Sequence, residues 1–203
     1  MKKNFLTIYI VLIELIFFSA CIKEDNKTFQ GEPVVEFDAT PLNPATTPFN
    51  HPLLLQIPRS NIPVTLLTTT CSNAATVEPF IRRTSGSFTL RVNLVGRTEN
   101  VSRDIDVVAF PVAAQLPSIT FRQPSPCSNV TVTTADAVAG THYNLAANKI
   151  TIPADSSCGY VTINILYAGT TAGQARVLGL ELKQASLKPS ENYKRIAIAI
   201  DQR

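Results

Sequence analysis

Four cysteines and two histidines are the side chains of this sequence best suited to covalent, acid–base or metal chemistry. His51 and His142 are the whole supply of neutral-pH general bases. No serine occupies a Gly-x-Ser-x-Gly elbow, so the nucleophile-and-base arrangement of acyl transfer has no support in the spacing. Zinc requires a spaced Cys/His set, which this chain lacks. Gly169-Thr170-Thr171-Ala172-Gly173 has neither the lysine nor the spacing of a phosphate loop and reads as a hairpin turn. The expectation is a non-enzyme with no catalytic residue, no metal and no cofactor, in which His142 is a packed or hydrogen-bonded turn residue.

The charged residues narrow the partner. Net charge is +3, and the basic pairs Arg82-Arg83 and Lys194-Arg195 stand apart with no interleaved aromatics. A nucleic-acid platform needs a basic stripe with stacking rings, so nucleic acid is excluded as a partner. Asp104 and Asp106 alternate along one segment and share a face, the only paired acidic geometry in the chain; they read as a solvent-facing polar stripe beside Arg103. Tryptophan is absent. Tyr143, Tyr160, Tyr167, Tyr193 and Phe121 are therefore the candidate sugar-stacking platforms, and alternation sends most of them into the core.

The first twenty residues read as an address. Lys2 and Lys3 form a basic n-region, Phe5 to Phe18 a mostly apolar h-region, and Ser19-Ala20 supply small side chains for a signal peptidase. The apolar run falls short of the roughly 20 residues a spanning helix needs and is interrupted by Glu14. Phe18-Ser19-Ala20-Cys21 resembles the lipobox of bacterial lipoproteins, which implies that the Cys21 thiol is lipidated and becomes the new first residue. The charged run Lys23-Glu24-Asp25 is similar to the export signal of Bacteroidota-type lipoproteins, which implies the outer membrane, facing the cell exterior, with periplasmic retention as the alternative. The expected organisation is a signal peptide over 1–20, a lipidated cysteine and tether over 21–32, and one domain over 33–203. The membrane is then a partner through the anchor only.

Cys71, Cys127 and Cys158 remain, an odd number in an oxidising compartment. Three pairings are open, as are three reduced thiols packed as small hydrophobes; Cys127 with Cys158 is favoured because both lie in stretches read as loops.

From Val34 onward the dominant period is two, the mark of strands buried on one face. Phe88, Leu90, Val92 and Leu94 oppose Thr89, Arg91 and Asn93; Val161, Ile163 and Ile165 oppose Thr162 and Asn164; Leu178, Leu180 and Leu182 oppose Glu181 and Lys183. Ile196, Ile198 and Ile200 oppose Ala197 and Ala199, a pattern that predicts packing on both faces. Weaker strands are expected at Val34–Phe37, Leu53–Ile57, Val64–Thr70, Thr76–Arg82, Ile105–Phe110, Ser118–Arg122, Val130–Thr133 and Lys149–Ile152. Turn chemistry separates them at Pro41–Pro48, Asn61–Pro63, Pro124–Pro126, Ala139-Gly140, Pro153–Gly159 and Lys188–Ser190. The prolines between Asn50 and Pro63 suggest a sheet edge. Many short strands with no credible helix predict an all-β fold, an antiparallel β-sandwich.

Ala137 to Leu145, Ile150 to Ala154 and Tyr160 to Ile165 together are similar to the Calx-beta-like pattern: a Gly-Thr-(Asp or His)-Tyr turn, a strand ending in Pro-Ala, and a further strand. Glu32 to Phe37 and Leu90 to Gly96 also look like the Bacteroidota surface lipoproteins that carry an immunoglobulin-like or Calx-beta-like domain. Val112 to Thr134 fits neither pattern and reads as an inserted hairpin. Strict Calx-beta domains bind calcium through clustered carboxylates; here Asp136 and Asp155 stand singly, short of the six to eight oxygens calcium takes. Two functions follow as expectations: a displayed binding or accessory module for a glycan, a peptide or a partner envelope protein, or a structural component holding a neighbour through strand edges.

Overall fold

The structure, a computed structural model, describes residues 31–40, 51–58, 80–122, 129–169 and 174–203. Expectations for residues 1–30, the segment Val64–Thr70, Cys71 and Cys127 fall outside them. In chain order the strands are β1 (Val34–Phe37), β2 (Leu53–Leu54), β3 (Ser87–Val95), β4 (Arg103–Phe110), β5 (Ser118–Arg122), β6 (Asn129–Asp136), β7 (Tyr143–Leu145), β8 (Lys149–Ile152), β9 (Cys158–Ile165), β10 (Gln174–Lys183), β11 (Lys188–Pro189) and β12 (Arg195–Asp201). They form a five-stranded sheet, β11-β1-β3-β9-β7, and a larger one, β2-β12-β10-β4-β8, to which β6 and β5 add beside β10.

The period-two pattern decides which sheet faces meet. Phe88, Leu90, Val92 and Leu94 of β3 are buried with Val161, Ile163 and Ile165 of β9, against Leu178, Leu180 and Leu182 of β10 and Ile196, Ile198 and Ile200 of β12. Each of these side chains contributes about 1.5–3 kcal/mol by leaving water. Gly159 faces inward, where an added Cβ would stand 2.8 Å from both the Thr151 carbonyl oxygen and Ile150 Cγ2, so the two sheets close tightly between β8 and β9.

The alanines of β12 face a second core. Ala197 and Ala199, with Ala175 and Val177 of β10, are covered by Val112, Leu116, Ile119, Phe121 and Val132 on the outer face of the larger sheet. The cover runs from Val112 through a 3-10 turn into β5, with Val132 of β6, and Phe80 lies edge-on to Phe121 at 5.3 Å. The stretch read as an inserted hairpin is thus a second apolar layer. The carboxylate of Asp136 accepts the backbone N–H groups of Val112 (2.7 Å) and Ala113 (2.8 Å), which fixes the short 3-10 turn at Ala113–Gln115 where the chain leaves β4.

The expected β-sandwich is present and most of its strand pairs are antiparallel; β1 with β11, β10 with β6 and β12 with β2 pair in parallel. Three expectations need correction. Lys188-Pro189 forms edge strand β11, not a turn, an edge being where proline costs no ladder bond. Tyr143–Leu145 is a strand, β7, paired antiparallel with Ile163–Ile165 of β9, so the turn ends at Tyr143. Cys158 is not a loop residue: β9 begins there, with Cys158 paired opposite Asn93 of β3. In contrast, β2 does lie at an edge of the larger sheet, as its flanking prolines suggested.

Candidate binding cleft

The sites expected from sequence separate into three places. Cys21, Lys23, Glu24, Asp25 and Cys127 lie outside the described residues. Cys158 is a free cysteine whose thiol meets the Tyr160 hydroxyl at 3.8 Å, a contact that raises the phenol's pKa. The remaining residues belong to the domain's surfaces.

Of the five candidate aromatic platforms, Phe121 and Tyr143 are buried and Tyr193 is half-buried. Tyr160 and Tyr167 are exposed, at 54% and 65%. Seven residues of extended chain separate them, about 23 Å, and the Arg83 guanidinium already stacks on the Tyr167 ring at 4.8 Å. They do not form one stacking plane.

The acidic pair also divides. Asp104 accepts the Thr151 hydroxyl (2.8 Å) and pairs with Lys149 Nζ at 3.5 Å. Arg103 is not part of the polar stripe; it is buried and pairs with Glu99 at 3.1 Å. Asp106 lines a cleft of about 560 Å³ with Val107, Val108, Ala109, Ala139, Tyr143, Asn144, Leu145 and Asn148.

Local topology explains the cleft. Strand β8 pairs with β4 only over Arg103–Asp106, whereas β4 continues to Phe110. The Val107 N–H donates to the Asn148 carbonyl at 2.9 Å, and beyond it β4 has no strand partner on that side among the described residues. After β7 the chain leaves the smaller sheet and crosses at residues 146–148 to enter the larger one as β8, so the sheets part here. A tight turn walls one end: the Gly140 N–H donates to the Tyr143 carbonyl (2.9 Å) and to Asn144 Oδ1 (3.1 Å), with Gly140 at φ +77°, a conformation most side chains rarely adopt. Asn144, Asn148 and Ala139 gave no chemical signal in the sequence; a turn and a crossover bring them to the acid.

His142 holds the base of this turn. It is 7% exposed, and the Val138 N–H donates to its Nδ1 at 3.0 Å. Burial, with Arg176 adding to it, lowers its pKa below 6.5. The expectation of a hydrogen-bonded turn histidine holds. His51 packs edge-on against Phe110 at 5.8 Å, and its pKa is likewise lowered, by burial and by Arg195. Glu181 behaves in the opposite sense: burial alone would raise it, but hydrogen bonds from Lys183 (2.8 Å) and Arg195 (2.9 Å) hold it below its usual value.

A histidine whose folded pKa is depressed adds stability that is complete above pH 6.5 and lost as pH falls toward the folded value. Thermal unfolding midpoints should therefore drop between pH 7.5 and 5.5. His142→Gln should flatten part of that slope, His51 supplying the rest. Equal slopes in wild type and variant would show that His142 does not govern it.

The architecture and this cleft define a β-sandwich with a half-open site at the parting of its two sheets. No known family pattern matches the chain, nor does any curated protein. Among solved structures it is similar to a candidate carbohydrate-binding protein of Bacteroides ovatus (9% identity, TM-score 0.41, covering 57% of this chain and 31% of that one). It is also similar to the apo CBD1 domain of Calx (11%, 0.40, 60% and 86%) and to a protein of unknown function from Bacteroides ovatus (10%, 0.42, 84% and 52%). The chain spans about a third of the first of these and half of the last. Likenesses at this level assign neither ligand nor activity.

Proposed function

We propose that the chain is a non-catalytic binding module of the cell envelope, tethered by lipid at Cys21 to the outer membrane and facing the cell exterior, and that its ligand seats in the cleft beside β4. The cleft carries this reading: it is a concave, mostly apolar site with a few polar residues in its lining, the usual form of a small-ligand site. A glycan, a peptide or a segment of a partner lipoprotein are the candidate occupants. The lipobox and the charged run after it support the tether.

Short edges argue against the alternative, a structural component that pairs with a neighbour through strand addition. Edge strands β2, β5, β7, β8 and β11 have only two to five residues among the described chain. Such edges offer little template to a partner.

Solvent mapping tests the site. In 2-propanol at a few per cent by volume, the largest amide shifts should fall on Val108, Ala109, Asn144 and Leu145. A maximum around Tyr160, or shifts spread evenly over the surface, would overturn the assignment.

A further inference from the structure

Building on that reading of the cleft, we infer that its ligand is a neutral, hydroxyl-rich ring of pyranose type, gripped by Asp106 with Asn144 and Asn148. Three observations lead there. The first is an uncommitted carboxylate. Asp106 carries no ion pair among the described residues, although Lys149 and Lys183 stand opposite it on the two flanking strands. Their ammonium groups are engaged elsewhere, with Asp104 and Glu181. An ionised carboxylate accepts hydrogen bonds only, at about four lone-pair positions, and so suits adjacent hydroxyl groups, which donate.

The second is the mixed character of the two amides. Asn144 uses its Oδ1 to accept the Gly140 N–H, which turns its NH2 group into the available donor. Asn148 has its backbone carbonyl taken by Val107, while its side chain makes no hydrogen bond among the described residues. One acceptor-only group, one donor and one group of both kinds match a hydroxyl-bearing ring, whose every oxygen both donates and accepts.

The third is the apolar surround. Val108 is 38% exposed and Leu145 partly so, offering CH surface to the faces of a ring. Other ligand classes meet obstacles at the same atoms. An anion would face the Asp106 charge; a purely apolar ligand would strip water from that carboxylate without replacing its hydrogen bonds. No group of three acids, histidines or cysteines suited to a metal ion occurs among the described residues.

The experiment is a titration of the 15N-labelled protein with methyl α-mannopyranoside and methyl β-galactopyranoside, and separately with N-acetyl-tetra-alanine amide as an extended-peptide probe. At least one pyranoside should shift the amides of Val108, Ala109 and Leu145 at millimolar concentration. Asp106→Asn should weaken that response at least tenfold and Asn148→Ala at least threefold, with unfolding midpoints unchanged because neither side chain carries a structural bond. If the peptide shifts these amides and neither pyranoside does, the ligand class is wrong and the cleft stands as a binding site. If no probe shifts them, both the ligand class and the cleft reading fail. A pyranoside response undiminished by Asp106→Asn would overturn the role given to the carboxylate.

Discussion

Cys21→Ser should move the protein expressed in its native envelope from the detergent-rich phase to the aqueous phase, and should abolish incorporation of radiolabelled palmitate. The size of the effect follows from chain arithmetic. One acyl chain holds a protein only marginally, with an association constant of about 10⁴ M⁻¹, and each buried CH2 adds about 0.8 kcal/mol, so two or three chains make attachment stable. The alternative source of membrane affinity is the domain's own surface. The described exposed apolar residues, Val101, Val108 and Val138 with Tyr160 and Tyr167, could not replace two acyl chains. Cys21→Ser protein that still partitions with detergent, or native protein with the mass of its polypeptide alone, would refute the tether. Protease accessibility on intact cells reports the leaflet separately: degradation without lysis is expected for a domain facing outward.

Gly179→Ala should be the most destabilising single-methyl change in the domain. On β10, the edge passes from β6, paired with Gln174–Val177, to β4, paired with Gly179–Lys183. At that point β4 ends at Phe110 and the chain turns over the outer face through Val112 toward the 3-10 turn. A Cβ on Gly179 would lie 2.6 Å from the Phe110 carbonyl oxygen, 2.6 Å from Val112 Cγ1 and 2.9 Å from Phe110 Cε1. The side chains could rotate; the carbonyl oxygen cannot, because Phe110 is held in register opposite Gly179 itself. Overpacking of this kind costs about 1–3 kcal/mol, and the backbone clash places Gly179→Ala at the upper end. For a domain of this size the unfolding midpoint should fall by roughly 5–10 °C. Tyr160→Ala, at an exposed position of β9, is the control and should change stability by no more than about 0.5 kcal/mol. A loss no larger for Gly179→Ala than for Tyr160→Ala would show that the β4 exit can shift outward freely.

The two glycines illustrate why part of the fold escapes a reading of the sequence. Gly159 and Gly179 both stand inside strands, where glycine weakens local propensity and usually marks close backbone approach. Neither position says what approaches. For Gly159 it is β8 across the sandwich, and for Gly179 the chain leaving β4 on the outer face, both contacts distant in sequence. Parallel pairing of β6 with β10 is hidden for the same reason: alternation specifies a face but not a neighbour.

The candidate site shows the same division. Asp106 stood out by its spacing from Asp104, yet the two do different things, because β8 reaches as far as Asp106 and stops. One acid takes the lysine and threonine of β8; the other stands in register with Lys149 and Lys183 but has no ion pair among the described residues. Tyr143 and Tyr160 were equal as aromatic platforms, yet Tyr143 on β7 is buried and walls the cleft while Tyr160 on β9 is exposed.

Local pattern alone determined that this chain is all-β, which residues of each long strand turn inward, that β12 is buried on both sides, and that His142 sits in a bonded turn. These follow from backbone geometry, since side chains alternate at period two whatever lies beside the strand. Tertiary structure alone decided which strands are neighbours, where the sheets part, and hence that Asp106, Asn144 and Asn148 share one cleft. Those three meet through the crossover at 146–148 and the early end of β8, and loop closure brings together positions whose spacing in the chain carries no trace of it.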